Sequence, residues 1–428
     1  MRRDRPFVRL SPSPQRAIKI MSDPTHKKRV LLVDDERMVL NVYQTALRRA
    51  APDWEVEVAE SGVKALEMMK ERPFDIVVTD MRMPEMTGSQ LLAEIQQHHP
   101  ATARVVLTGY TEQERVLQSI GSVHQWLSKP CNVKTLQTTL ARIFDLQEHI
   151  HEPWIKEMAG KIRSLPSLPE LFFRVLDELQ TPYSTPEQIA SFVCRDAGMT
   201  ARLLQLVNSA FFGFSHQVRD VTEAVQLLGV GTVRALALSM KVFSCFDVKD
   251  YPGLDAHKLY YESLVVGTLA RNLLAVDSAE TPEQEAAFTA GLLRGVGCLV
   301  LANSLRETYA DLLTQAAHSR QPLPEVEQKT LGITHAEVGA YLMGLWGLPV
   351  QITEAIGFQY RPSNSSNRGL NALTGLHVAQ AIVGATHAHE ALQLTAPLDV
   401  AYLRECGLDD NLPRWEALFH QRDRQPPN

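Results

Sequence analysis

Acidic, hydroxyl and basic side chains stand at the ends of short apolar runs along this chain. Asp34 and Asp35 close RVLLVDD (29–35), Asp80 closes DIVVTD (75–80), Thr108 lies at the end of RVVLTG (104–109), and Lys129 closes HQWLSKP (124–130) with Pro130. Three carboxylates gathered in one place repel one another, and the cluster is stable only around a cation. Hard oxygen donors at a small site favour Mg2+, which keeps some of its waters and shares its shell with phosphate. A carboxylate oxygen of Asp80 is then a candidate nucleophile toward phosphorus, giving an acyl phosphate. The Lys129 ammonium and the Thr108 hydroxyl would bind the phosphoryl oxygens while Mg2+ neutralises their charge.

These residues meet only if each run ends on a common rim. With VEVAES (56–61) there are five runs, and Val and Ile dominate the first, third and fourth, as in strands buried on both faces of a parallel sheet. Amphipathic segments of about ten to fifteen residues separate them, which is βαβ spacing. The expectation is a doubly wound α/β domain that binds its ligands beyond the carboxyl ends of its strands. Past about residue 150 the period changes. Segments 186–195, 199–210, 222–244, 256–276, 282–303, 335–347 and 370–386 are helical in pattern and joined by short Pro- and Gly-containing turns, which predicts an all-α domain.

A chain of 428 residues with 45% hydrophobic and 21% charged side chains suits two or three globular domains. The expected division is a disordered basic tail over 1–27, an α/β domain over 28–147, a linker over 148–163 containing Pro153, a helical domain over 164–385, and a helical extension over 386–428. No uninterrupted apolar run reaches the roughly 18 residues that span a bilayer. Five scattered cysteines suit a reducing cytoplasm rather than a disulfide framework. From residue 151 onward 22 Lys+Arg face 30 Asp+Glu, a net −8 that argues against a nucleic-acid surface. The first twenty residues carry six bases and one acid without the apolar core of a secretory signal, so the expectation is a disordered tail or a start codon placed too early, with translation beginning at Met21.

The stretches VDDE (33–36), VTDMRMPEMTG (78–88), LTGY (107–110) and LSKP (127–130) resemble the receiver domains of bacterial two-component systems over residues 29–145. That resemblance implies a flavodoxin-like sheet of order 2-1-3-4-5. It implies Asp80 as phosphoacceptor, with Asp34, Asp35, Asp80 and the backbone carbonyl of Arg82 as Mg2+ ligands. Thr108 would be the switch hydroxyl, Lys129 the phosphate-binding lysine, and Trp126 would occupy the aromatic switch position. A sensor histidine kinase or a phosphotransfer protein is the implied donor. The face built by the fourth helix, fifth strand and fifth helix (about 111–147) would change its contacts with residues 151–428, or with a second receiver in a homodimer.

SLPSLPEL (164–171), RDAGMTARLLQLVNS (195–209), EAVQLLGVGTVRALAL (223–238), AAFTAGLLRGVG (286–297) and HAEVGAYLMGLWGLP (335–349) resemble HDOD domains, relatives of HD metal phosphohydrolases. A catalytic HD site needs clustered His and Asp ligands. Here the His-Asp pair position reads Arg294-Gly295, an earlier His position falls near Glu262, a later pair reads Gln359-Tyr360, and the final Asp position reads Gln380. His335 alone remains, and is read as a helix-start or core histidine. The expectation is a regulatory domain that binds an unidentified downstream signalling protein, not a membrane or nucleic acid. The enzyme alternative is an HD-type phosphodiesterase acting on cyclic di-GMP. Helix–Gly–helix at 227–240 could suggest a DNA reader, but Arg234 is the second helix's one cation before Lys241, so it is read as a packing turn. His387 and His389, at i and i+2, point to different helix faces.

Overall fold

The structure, a computed structural model, describes residues 27–109, 119, 121–150, 152–162, 184–209, 214, 216–238, 253–386, 394 and 396–423. The basic tail with Met21, and the pair His387 and His389, lie outside the described residues.

Strands β1 (Lys28–Val33), β2 (Trp54–Ala59), β3 (Ile76–Asp80), β4 (Ala103–Thr108) and β5 (Gln125–Ser128) form one parallel sheet in the order β2-β1-β3-β4-β5. This is the expected topology. Every residue of β3 and β4 is buried, which is why their sequences read as continuous apolar runs. The sheet is flanked by α1 (Arg37–Ala50), α2 (Gly62–Glu71), α3 (Gly88–His98) and α4 (Val133–His149).

From residue 152 on, every regular element among the described residues is a helix. The order is α5 (Pro153–Lys161), α6 (Pro186–Val193), α7 (Ala197–Val207), α8 (Val221–Leu238), α9 (Ala256–Val276), α10 (Thr281–Leu293) and α11 (Val296–Ser319). Then come α12 (Leu323–Leu331), α13 (His335–Leu345), α14 (Val350–Phe358), α15 (Ala372–Thr386), α16 (Val400–Cys406) and α17 (Leu412–Asp423). α8 is two helices meeting at Gly229, whose φ of 77° only glycine adopts easily, so the Gly turn is real. The single helix expected over 282–303 is instead two, broken at Arg294-Gly295. At the break Gly295 packs on Leu259, whose Cδ1 would stand 2.4 Å from a Cβ placed there. By length and apolarity residues 281–319 could cross a membrane, but 94% of their most apolar window is buried inside the protein.

One buried core runs through both halves of the chain. The segment expected as a linker contains α5, which begins at Pro153 and buries Ile155, Met158 and Ala159. Its Gly160 touches the α/β half so closely that a Cβ would lie 1.7 Å from the Pro100 carbonyl oxygen. The fully buried Arg104 of β4 donates to Ser122 O at 2.6 Å and to Gly160 O at 2.7 Å. Gln205 of α7 donates to His124 O at 3.1 Å, Gln125 of β5 donates to Leu345 O at 3.2 Å, and Arg142 of α4 donates to Leu348 O. Arg202 lies 3.7 Å over the Trp346 ring.

His124 sits in this junction with Arg104 N–H 3.1 Å from Nδ1 and the Arg104 guanidinium 2.8 Å from Nε2. Burial first, then the charges of Arg104 and Arg202, hold its pKa well below the usual value. Below about pH 6.5 the unfolded chain therefore binds a proton that the folded chain refuses, and stability falls as pH falls. The expected slope is about 1.4 kcal/mol per pH unit from this group. Urea midpoints measured at pH 7 and 5.5 check it, since His124→Gln should flatten the slope. Equal slopes in the two proteins would remove His124 from the account.

Candidate functional site

β1 and β3 end side by side, and that end carries the acids. Asp34 follows β1, is 3% exposed, and accepts the Glu36 N–H at 2.9 Å through Oδ1. Asp80 is the last residue of β3, 7% exposed, and accepts the Arg82 N–H at 2.8 Å through Oδ2. Lys129, one residue past β5, reaches across with Nζ 2.9 Å from Asp34 Oδ2 and in contact with Asp80 Oδ1. Its backbone N–H donates to Thr108 O at 2.8 Å, which ties the lysine to the end of β4. Asp35 lies on the same loop and is exposed. Gly88, the first residue of α3, lets that helix approach: a Cβ there would stand 2.0 Å from Asp80 O.

The electrostatics match the geometry. Burial raises the pKa of Asp80, while the hydrogen bond and charge of Lys129 pull it back. Burial works against the Lys129 ammonium, but its bonds to Asp80 and Asp34 outweigh that and raise its pKa. One fixed cation thus serves two buried carboxylates, with a third on the rim. The donor set, all carboxylate and carbonyl oxygen, fits a hard divalent ion such as Mg2+.

Trp126 is fully buried and donates from Nε1 to Ser119 Oγ at 3.1 Å. Nearby Gln125 of β5 and His124, just before the strand, bond the helical half. Arg104, His124, Arg202 and Gln205 were not singled out from the sequence. An isolated Arg in a strand gives no sign that one of its partners is a carbonyl of α5.

The positions inherited from the HD pattern also converge. Arg294 is 1% exposed and bonds Gln359 Oε1 at 3.4 Å and Leu394 O. Gln380 donates to Gln359 O at 3.4 Å, and Tyr360 OH lies 2.9 Å from His335 Nε2. Gly295 packs on Leu259, one turn before the half-buried Glu262 of α9. His377, one turn before Gln380, was missed; its Nδ1 lies 2.8 Å from Gln359 O and its Nε2 accepts the Asp399 N–H at 2.9 Å. A buried guanidinium and two neutral amides therefore meet at the positions that the sequence aligned with the HD pattern.

Comparison with known proteins identifies the two domain types. A family model described as a response regulator receiver domain matches residues 30–141, and one described as an HDOD domain matches residues 165–362. Over 114 residues the chain is 35% identical to the transcriptional regulatory protein ZraR of Escherichia coli O157:H7, covering 26% of this chain and 25% of that protein. Over 138 residues it is 35% identical to the sensor kinase CckA of Brucella abortus, covering 31% of this chain and 14% of that protein. The chain thus spans about a quarter or less of these two relatives. A solved structure of the MmoQ response regulator of Methylococcus capsulatus, 26% identical, covers 59% of this chain and 98% of its own, with a TM-score of 0.45.

Proposed function

We propose that the chain, a receiver domain joined to an HDOD domain, is a two-component response regulator that a histidine kinase or phosphotransfer protein phosphorylates on Asp80. The observation that supports this best is Lys129 bridging the buried Asp34 and Asp80 at the ends of adjacent strands. Asp34, Asp35, Asp80 and the Arg82 carbonyl would hold Mg2+, which neutralises charge on the phosphoryl group in transit. Asp80 supplies the carboxylate oxygen that bonds to phosphorus as the bond to the donor histidine nitrogen breaks, and that nitrogen keeps the electron pair. Lys129 exchanges its carboxylate partners for phosphoryl oxygens, and the Thr108 hydroxyl turns to the same group.

The added charge of about −1.5 to −2 biases a two-state element. In this reading the element is the β4–β5 edge. A shift at Trp126 acts on Gln125 and His124, whose bonds to Leu345 and Gln205 hold the helical half. The output is altered binding of a downstream signalling protein in the cytoplasm, where the free thiols stay reduced. The HDOD half is regulatory, because Arg294 places a cation where a catalytic metal would sit. A phosphodiesterase reading predicts hydrolysis of cyclic di-GMP by the full chain with added divalent metal, and we expect none.

Hydrogen exchange before and after acetyl phosphate with Mg2+ tests the coupling. Amides in β5 and in 343–348 should lose protection on phosphorylation, and unchanged protection there would sink it. A second test concerns the donor. Met38 and Val42, one turn apart on α1 beside Asp35, are 81% and 61% exposed, an apolar stripe suited to a protein contact. Met38→Glu should slow transfer from the kinase by about tenfold, roughly 1.4 kcal/mol, and leave uptake from acetyl phosphate unchanged.

A further inference from the structure

Cys298, Glu327 and His335 are all fully buried, and one donor atom from each lies within 4.8 Å of the other two. They come from three successive helices, α11, α12 and α13. α11 and α13 cross so closely that a Cβ on Gly297 would stand 1.8 Å from His335 O, which brings Cys298 beside the imidazole.

The hydrogen bonds fix which ring nitrogen is bare. Tyr360 OH donates to Leu394 O at 2.8 Å, so its one proton is committed. His335 Nε2, 2.9 Å from that hydroxyl, must therefore carry the hydrogen between them. This leaves the Nδ1 lone pair 2.7 Å from Glu327 Oε2, an oxygen that already accepts the His335 N–H at 2.9 Å. Two acceptors this close need a positive centre between them. A proton is one candidate and a metal ion the other. The nearby Cys298 sulfur is a donor a proton does not call for.

We propose that Cys298, Glu327 and His335 form a structural Zn2+ site clipping α11, α12 and α13 together. A mixed sulfur, nitrogen and oxygen set selects zinc over magnesium. The outer shell is the one such sites use: Nε2–H held by Tyr360, and Glu327 Oε1 held by Tyr309 OH at 2.6 Å. Ligand atoms of one tetrahedral zinc stand about 3.3 Å apart, so Nδ1 and Oε2 open by roughly 0.6 Å, within the reach of a Glu side-chain adjustment. Full burial excludes substrate, so the ion stabilises and does not catalyse. The site faces away from Arg294, on the opposite edge of His335, and its loading is independent of phosphorylation at Asp80.

Native mass spectrometry of the full chain, incubated with Zn2+ and then exchanged into metal-free buffer, should retain one zinc. Replacement by Co2+ should give the near-ultraviolet thiolate charge-transfer band that carboxylate-bound cobalt in the receiver cannot give. Cys298→Ser should abolish the band and the retained zinc, and Glu327→Gln should weaken retention at least tenfold. Asp80→Asn should change neither. Should Cys298→Ser fail to fold by circular dichroism, Cys298→Ala supplies the same comparison. A wild-type chain with no retained zinc and no band, or a band that survives loss of Cys298, overturns the proposal and leaves a hydrogen-bonded network only.

Discussion

Asp80→Asn gains no phosphoryl mass from acetyl phosphate or a cognate kinase in the presence of Mg2+, while the parent chain does. The substitution is nearly isosteric, and its amide oxygen can still accept the Arg82 N–H now held by Oδ2. Lys129 keeps Asp34 as a partner. The fold should therefore survive, and what is lost is the anionic oxygen that bonds to phosphorus. Lys129→Met should be less severe, slowing uptake on the order of 100-fold, because the nucleophile remains while one fixed donor to the phosphoryl oxygens is gone. Intact-mass measurement over time separates the two. A mass gain in Asp80→Asn equal to the parent's would remove Asp80 as acceptor, and full-rate uptake in Lys129→Met would remove the lysine from the chemistry.

Arg104→Met should cost about 2–4 kcal/mol of stability and loosen the two halves from one another. Burial draws the Arg104 pKa down to about 9, so the guanidinium is still charged near neutrality, and its partners are carbonyls and His124. Methionine fills much of the same space but leaves the half-buried Ser122 O without its donor and Gly160 O with only the longer bond from Gln96 at 3.4 Å, a lost bond to a buried acceptor costing about 1–3 kcal/mol. Part of that loss is returned because a buried cation is removed. Urea unfolding should show a lower midpoint, and limited proteolysis should cut between the domains faster. Arg104→Lys should not rescue, since three ammonium donors cannot reach a spread of carbonyls that a planar fork spans. Unchanged midpoint and unchanged proteolysis together would show that the junction does not depend on this residue.

Much of the receiver was legible before folding because its chemistry is local to strand ends. In a parallel α/β sheet the carboxyl end of every strand faces the same rim, so Asp34, Asp80, Thr108 and Lys129 had to converge once the five runs were recognised as strands. The polar types and their order were enough. The helical half showed its class for the same reason, a 3.6-residue period, yet the nine-residue α12 and α14 and the break at Arg294-Gly295, packed against the distant Leu259, were not read from it.

The sequence by itself determined the two fold classes and the strand order's consequence for the acidic rim. Tertiary structure alone decided that Arg104 of the receiver is held by a carbonyl of α5, that Gln205 reaches His124, and that Cys298, Glu327 and His335 meet. Periodicity encodes which face of an element is apolar, so it predicts burial. Which polar atoms meet across a boundary depends on the distance of closest approach between elements, set at Gly160 and Gly297 by the absence of a side chain, and that distance has no period to read.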